Sequence, residues 1–274
     1  MKKNTYLKAS AHLFSAEWKR ALRGGMLGFV PIVIFAIMAL EIVNDFPRLH
    51  TNLNNIMSNV GYYCFGFNFG SIVIILPFLA AFVHAPTVSE DLDGGFCIYV
   101  FRRINTHSYA ITKYLACITV SALAITLGFL LFAAYCSILY APSNVTVNPR
   151  QVLPLEDSTI YRTLYGHHGG IAFFAVHLLQ ILLYGAVWSG VGLNASAALH
   201  NKYVAPVAAL IIYHVLTFFM QDFGLRYLDP AAMIVYFDRN VDFTLGTILF
   251  VQSSAILING VVFHWIVQKR GHYV

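Results

Sequence analysis

Charge is the scarcest commodity in this chain. Asp, Glu, Lys and Arg make up 11% of the residues, against about 25% in a soluble domain. Hydrophobic residues reach 58%, so an ordinary soluble protein is excluded. Cysteine is also sparse. Cys64, Cys97, Cys117 and Cys136 form no C-x-x-C pair, which suggests neither a zinc cage nor a disulfide framework. The chain lacks G-x-x-x-x-G-K-[ST], so it does not cradle ATP phosphates itself, and it lacks H-E-x-x-H. Glu90-Asp91 and Glu156-Asp157 have no histidines at metal-ligand spacing, and Ser121 and Ser189 have no recognisable activating pair. No catalytic residue, metal ligand or bound cofactor is expected. The start, Met-Lys-Lys before a polar stretch, does not resemble a removable signal peptide.

What the chain does have is long apolar runs. A spanning helix needs about 20 residues, and 274 residues with loops leave room for six. The runs fall at residues 26–43, 61–83, 114–140, 170–198, 203–220 and 245–267. The expected fold is an all-α membrane domain of six transmembrane helices, with residues 1–274 forming one unit. Two additions complete it. Residues 6–23 place Leu7, Ala11, Phe14, Trp18 and Ala21 at helical spacing, opposite Lys8, His12, Lys19, Arg20 and Arg23. This is an amphipathic helix suited to the headgroup layer and to membrane lipid. Residues 221–244 hold Asp229-Pro230 and a short apolar run, read as a short re-entrant outer helix before the last span.

Close packing is expected at Gly66 and Gly70, a G-x-x-x-G pair, and along Gly185, Ser189, Gly192 and Ser196. Asn68, Asn194 and Gln180 are polar points inside spans that more often join helices than bind substrate.

Orientation follows from the basic residues. Lys2, Lys3, Lys8, Lys19, Arg20, Arg23, Arg102, Arg103, Lys113, Lys202, Lys269 and Arg270 fall on one side. Arg48, Arg150, Arg162, Arg226 and Arg239 fall on the other. Both termini are therefore expected in the cytoplasm, and the net charge of +5 matches this orientation rather than nucleic acid.

The most informative stretch is residues 87–113, between the second and third spans. It carries Glu90, Asp91 and Asp93, then Gly94 and Gly95, then Arg102, Arg103 and Lys113. Such a segment can dock a soluble partner and receive mechanical work from it. Histidines supply a rival reading. His84, His177, His214 and His264 lie in or at the ends of spans, and two facing pairs could ligate haem. Neutral imidazoles bonded to neighbouring helices are the simpler account. A third reading is a membrane anchor or sensor that recruits a soluble protein without transport.

With its amphipathic N-terminal helix, six spans, charged loop and interrupted outer segment, the chain resembles the membrane subunit of a type-2 ABC exporter. In the loop, Glu90, Gly94 and Lys113, with Tyr109 between, match the family's pattern. Arg102, Arg103 and Thr106 stand where the family often has Thr, Pro and Arg. The resemblance implies a separate ATP-binding subunit carrying ATP and magnesium, and a second permease chain, identical or related. It also implies location in the plasma (inner) membrane and ATPase coupling through Glu90, Asp91, Gly94, Gly95, Arg102 and Arg103. A substrate path along the first, second and fifth spans would include Glu41, Asn68 and His214. The aromatic-rich second span and the few charges in the spans suit an amphipathic substrate rather than a small ion.

Overall fold

In a hydrocarbon setting a helix is the simplest way for one segment to satisfy its own backbone, and the computed structural model is helical along its long apolar runs. It describes residues 2–50, 59–68, 71–101, 104–140, 159–199, 201–234 and 245–271, and no strand occurs among them. The helices are α1 (Lys2–Arg23), α2 (Met26–His50), α3 (Asn59–Asn68), α4 (Ile72–His84) and α5 (Thr87–Asp93). They continue as α6 (Phe96–Phe101), α7 (Thr106–Leu139), α8 (Thr159–Leu199), α9 (Val204–Asp222) and α10 (Leu245–Gly271). Among the described residues, six helical stretches are long and apolar enough to cross a membrane. They are Met26–Val43, Ile72–Asp93, Thr106–Leu139, Ile171–Leu199, Val204–Asp222 and Leu245–Arg270. Their outward faces carry large exposed apolar side chains, such as Phe29 and Leu40 on α2, Phe218 on α9 and Phe250 and Val261 on α10. That surface suits lipid better than water.

The bundle is built around α7 and α8. The first packs on α8, α2, α1, α4, α10 and α3; the second packs on α10, α4, α9 and α5. Small residues let these helices approach. A Cβ on Gly192 would collide with Ala81 of α4, and one on Gly185 would lie 3.2 Å from the Ala122 backbone of α7. The hydroxyl of Ser196 accepts the Ser89 N–H at 3.3 Å, joining α8 to α5. On α3, a Cβ at Gly66 would press on the Phe132 ring at 2.6 Å.

Several boundaries differ from the sequence expectation. Residues 61–83 do not form one uninterrupted helix. They are described as α3, up to Asn68, and α4, which starts at Ile72 after the turn residue Ser71. Residues 87–113 are not a loop. After the Ala85-Pro86 turn the chain forms α5, turns through Gly94 and Gly95, forms α6, and enters α7 at Thr106. Gly95 has φ +66°, a left-handed conformation that a side chain would strain. Asn105 caps α7 by accepting the His107 N–H at 3.1 Å. Tyr109 and Lys113 thus belong to the third long helix.

The outer segment departs too. Over Pro230–Ile234 the structure forms turns, not a helix. Asp229 does act as a cap, accepting the Ala231 N–H at 2.9 Å, and Gln180 Nε2 of α8 donates to the Met233 carbonyl, tying the segment to α8. The remainder, residues 235–244, lies outside the described residues, as do Gly70, Arg102 and Arg103.

Candidate functional site

A cluster of paired charged side chains lies where α1, α5 and the start of α7 meet. On α1, Leu13, Glu17 and Ala21 recur every four residues and are all buried. This is the face that α1 turns to α7, so a carboxylate lies in the middle of an apolar stripe. Phe14 and Trp18, expected on the apolar face, are half-buried beside it, and Ala11 is exposed.

Burying Glu17 is tolerable only because it is paired. Lys113, one of the largest fully buried side chains, donates from Nζ to Glu17 Oε2 at 2.8 Å and to Asp91 Oδ2 at 2.7 Å. His84 Nε2 lies 3.1 Å from the same Glu17 oxygen. An ionised carboxylate only accepts, so Nε2 carries the proton. Asp91 is engaged on both oxygens. Its Oδ2 also accepts from the Tyr109 hydroxyl at 3.2 Å, and its Oδ1 accepts from Arg20 Nη1 at 2.6 Å. The second Arg20 nitrogen reaches Glu90 Oε2 at 2.8 Å. One guanidinium therefore spans two consecutive acidic residues of α5, a use of its planar fork that lysine could not copy.

The electrostatics follow from the contacts. Burial works to raise the Glu17 pKa, but the hydrogen bond from His84 and the charge and hydrogen bond of Lys113 outweigh it and hold the carboxyl at about 2. Burial opposes the Arg20 charge, yet the Asp91 hydrogen bond and the neighbouring carboxylates raise its pKa above the ordinary value. Burial pushes the Cys97 thiol up, and its sulfur sits 3.7 Å from the Tyr109 hydroxyl; this is a packed thiol and not a nucleophile. Chemically, the arrangement is a paired ionic joint between α1, α5 and α7, with His84 of α4 joined to it through Glu17.

The six coupling candidates separate into groups. Glu90 and Gly94 are exposed, Gly95 is half-buried, and Asp91 is buried with 3% of its surface open. Asp91 thus faces inward, to Arg20, Tyr109 and Lys113, and offers no carboxylate to a docking partner. The exposed outer face of this elbow is completed by Asp93, Phe96 and Tyr99, two of them aromatics that sequence reasoning did not single out. Beside it a half-open cleft of about 350 Å³ separates α5 from the start of α9, lined by Arg20, Phe82, His84, Glu90, Lys202 and Tyr203.

Sequence reasoning also missed Glu17 and the pairing of Arg20. The available signal was an acidic residue four positions from Leu13 and from Ala21 in an otherwise basic helix.

The proposed path residues lie on three different helices, α2, α3 and α9. Half-buried Glu41 accepts the Ser71 N–H at 3.4 Å, at the break after α3. Asn68 ends α3. His214 lies on α9 against the Tyr213 ring at 5.1 Å, and α9 packs chiefly on α8 and α4. The four histidines likewise have separate surroundings. His84 binds Glu17. His177 is 2.7 Å from the Tyr63 hydroxyl, among the rings of Phe67, Phe129 and Phe173. His264 faces His107 at 3.2 Å. Among the described residues, no group of three or more His, Cys, Asp or Glu is placed to hold a metal ion.

Set against known proteins, the chain matches no family model, and no curated protein matches it significantly.

Proposed function

We propose that this chain is the membrane subunit of an ATP-driven exporter of the type-2 ABC kind. In this reading it lies in the plasma (inner) membrane with both termini in the cytoplasm. It pairs with a second permease chain and moves an amphipathic substrate outward. A separate subunit binds ATP and magnesium, and this chain performs no chemistry of its own. The α5–α6 elbow faces the cytoplasm, α1 lies in the headgroup layer, and Glu90, Asp93, Gly94, Phe96 and Tyr99 meet the ATPase.

One observation carries the reading: the elbow has a free outer face and a fully paired inner one. Asp91 ties the elbow to α1 through Arg20 and to α7 through Lys113 and Tyr109. A push on the outer face is therefore delivered to α1 and α7 together and not absorbed in a loop. ATP-driven closure of the partner pair would shift the spans towards an outward-open arrangement, the shift being limited by how differently the partner binds the two states. No observation favours the haem reading, because the histidines have unrelated neighbours.

The test is purification of the full-length chain from its native membrane with mild detergent, followed by ATPase assay of the eluate. An ATP-hydrolysing subunit should co-purify, and Tyr99→Glu should abolish its retention while leaving the chain folded. A chain that elutes with no ATPase, or whose ATPase is held equally well after substitution at Phe96, Tyr99 and Glu90, would overturn the proposal.

A further inference from the structure

At mid-bundle, α8 is flanked by α9 and α10. Both pack on it, while they have little contact with each other. The gap between them is a cavity of about 250 Å³, roughly the volume of eight water molecules. Tyr184 and Trp188 of α8 floor it, Leu216 of α9 and Ile258 of α10 form its sides, and Met233 closes one end. Among the described residues, no lining side chain is charged.

Two lining side chains hold buried polar atoms with no hydrogen-bond partner among the described residues, Tyr184 through its hydroxyl and Gln252 through its whole amide. Gln252 is only 3% exposed, and among the described residues neither its amide nitrogen nor its amide oxygen has a hydrogen-bond partner. Two turns along the same face of α10, the comparable amide is accounted for. Asn259 accepts from Asn194 Nδ2 at 3.0 Å and donates to the Val187 carbonyl at 3.4 Å. An amide left unmatched in an apolar bundle carries a standing penalty, and sites built to hydrogen-bond a ligand are unpaired when empty.

The geometry points to a binding site between α8, α9 and α10 for the end of a neutral amphiphile. The ligand has an apolar body against Trp188 and Leu216, and a hydroxyl or amide group that both gives and takes a hydrogen bond at Gln252. The uncharged lining among the described residues suits a neutral group better than an ion or a charged headgroup. The site stands apart from the ionic joint and does not rest on the transport reading, because occupancy is measured on the chain alone. The same chemistry could come from a bilayer lipid or from an amphiphile entering from water.

The experiment uses the full-length chain in phosphatidylcholine nanodiscs and a photoactivatable diazirine monoacylglycerol, with a diazirine alkane of equal length as comparison. The expected result is labelling of α8 and α10 around Trp188 and Ile258. Gln252→Leu should weaken monoacylglycerol labelling about tenfold, the equivalent of one hydrogen bond, with alkane labelling retained. The same substitution should raise the thermal midpoint of the ligand-free chain, because it removes an unmatched amide. A structural glutamine would show the opposite sign.

Mass spectrometry of the purified chain separates the sources. A retained neutral lipid in wild type that is lost in Gln252→Leu identifies a bilayer resident, and an empty site filled only by added probe identifies an entering ligand. Absence of labelling at these helices, equal labelling of wild type and Gln252→Leu, or disulfide-linked dimers formed through Ile258→Cys that exclude the probe would each overturn the proposal.

Discussion

Two buried polar groupings in this bundle are resolved in opposite ways. At the α1–α5–α7 joint the buried charges are matched: Lys113 by Glu17 and Asp91, and Asp91 in turn by Arg20 and Tyr109. In the α8–α10 cleft, Gln252 is buried and matched by nothing among the described residues. The contrast separates two uses of polarity in an apolar setting. A saturated network fixes how elements sit together, whereas an unsaturated group keeps a capacity to bind. Removing a member should therefore weaken the first and relieve the second.

The largest effect is expected from Lys113→Met. It leaves two buried carboxylates without their shared cation, and breaking a buried pair in this way costs about 3–5 kcal/mol. A large fall in thermal midpoint in detergent, with release of α1 to protease, is the expected outcome.

Acid should loosen the same joint. The Glu17 carboxyl ordinarily titrates near 4.5 and is held at about 2 in the folded chain. A depressed carboxyl gives stability that is fully present above its unfolded pKa and is lost as pH falls through the folded one. The contribution is on the order of 3 kcal/mol. It should decline between pH 4.5 and 2, read by Trp18 fluorescence, and Glu17→Gln should flatten that part of the profile.

Gln252→Leu sharpens the comparison with the opposite sign. The empty chain should gain about 1–2 kcal/mol, measured by unfolding in detergent. The smallest effect belongs to Glu90→Ala. Its side chain is 44% exposed, and such a surface pair is worth about 1 kcal/mol or less. Stability should barely move.

The apolar runs were enough to locate the spans, because about 20 apolar residues with few charges have little alternative to a helix. The close approach of α8 was legible for the same local reason: Gly185, Gly192 and Ser196 lie on one face by spacing alone. The joint was legible only in part. Glu90, Tyr109 and Lys113 stood out through the resemblance. Their partners Glu17 and Arg20 lie 70 to 96 residues away along the chain, and no local pattern carries that information. The position of Asp91 was misread for a related reason. A residue beside exposed Glu90 looks like surface until α1 and α7 close over it. The outer segment failed differently. Asp229-Pro230 starts a helix and a turn equally well, and the contact that Gln180 of α8 makes with this segment is not written in its local sequence. Gln252 could not be told from Asn259 in the sequence, since both are single amides in an apolar helix and only packing gives one of them a partner.

The account rests on α5, α1 and α7 being held as one body through Lys113, and a double-mutant cycle measures that directly. Asp91→Asn, Lys113→Met and the double variant should be unfolded in the same detergent and their stabilities compared. The account predicts a coupling of about 2–3 kcal/mol between the two positions, at the upper end for residues sharing one network. Additivity to within about 0.5 kcal/mol would mean that Asp91 and Lys113 do not act together, and the joint would not exist as described.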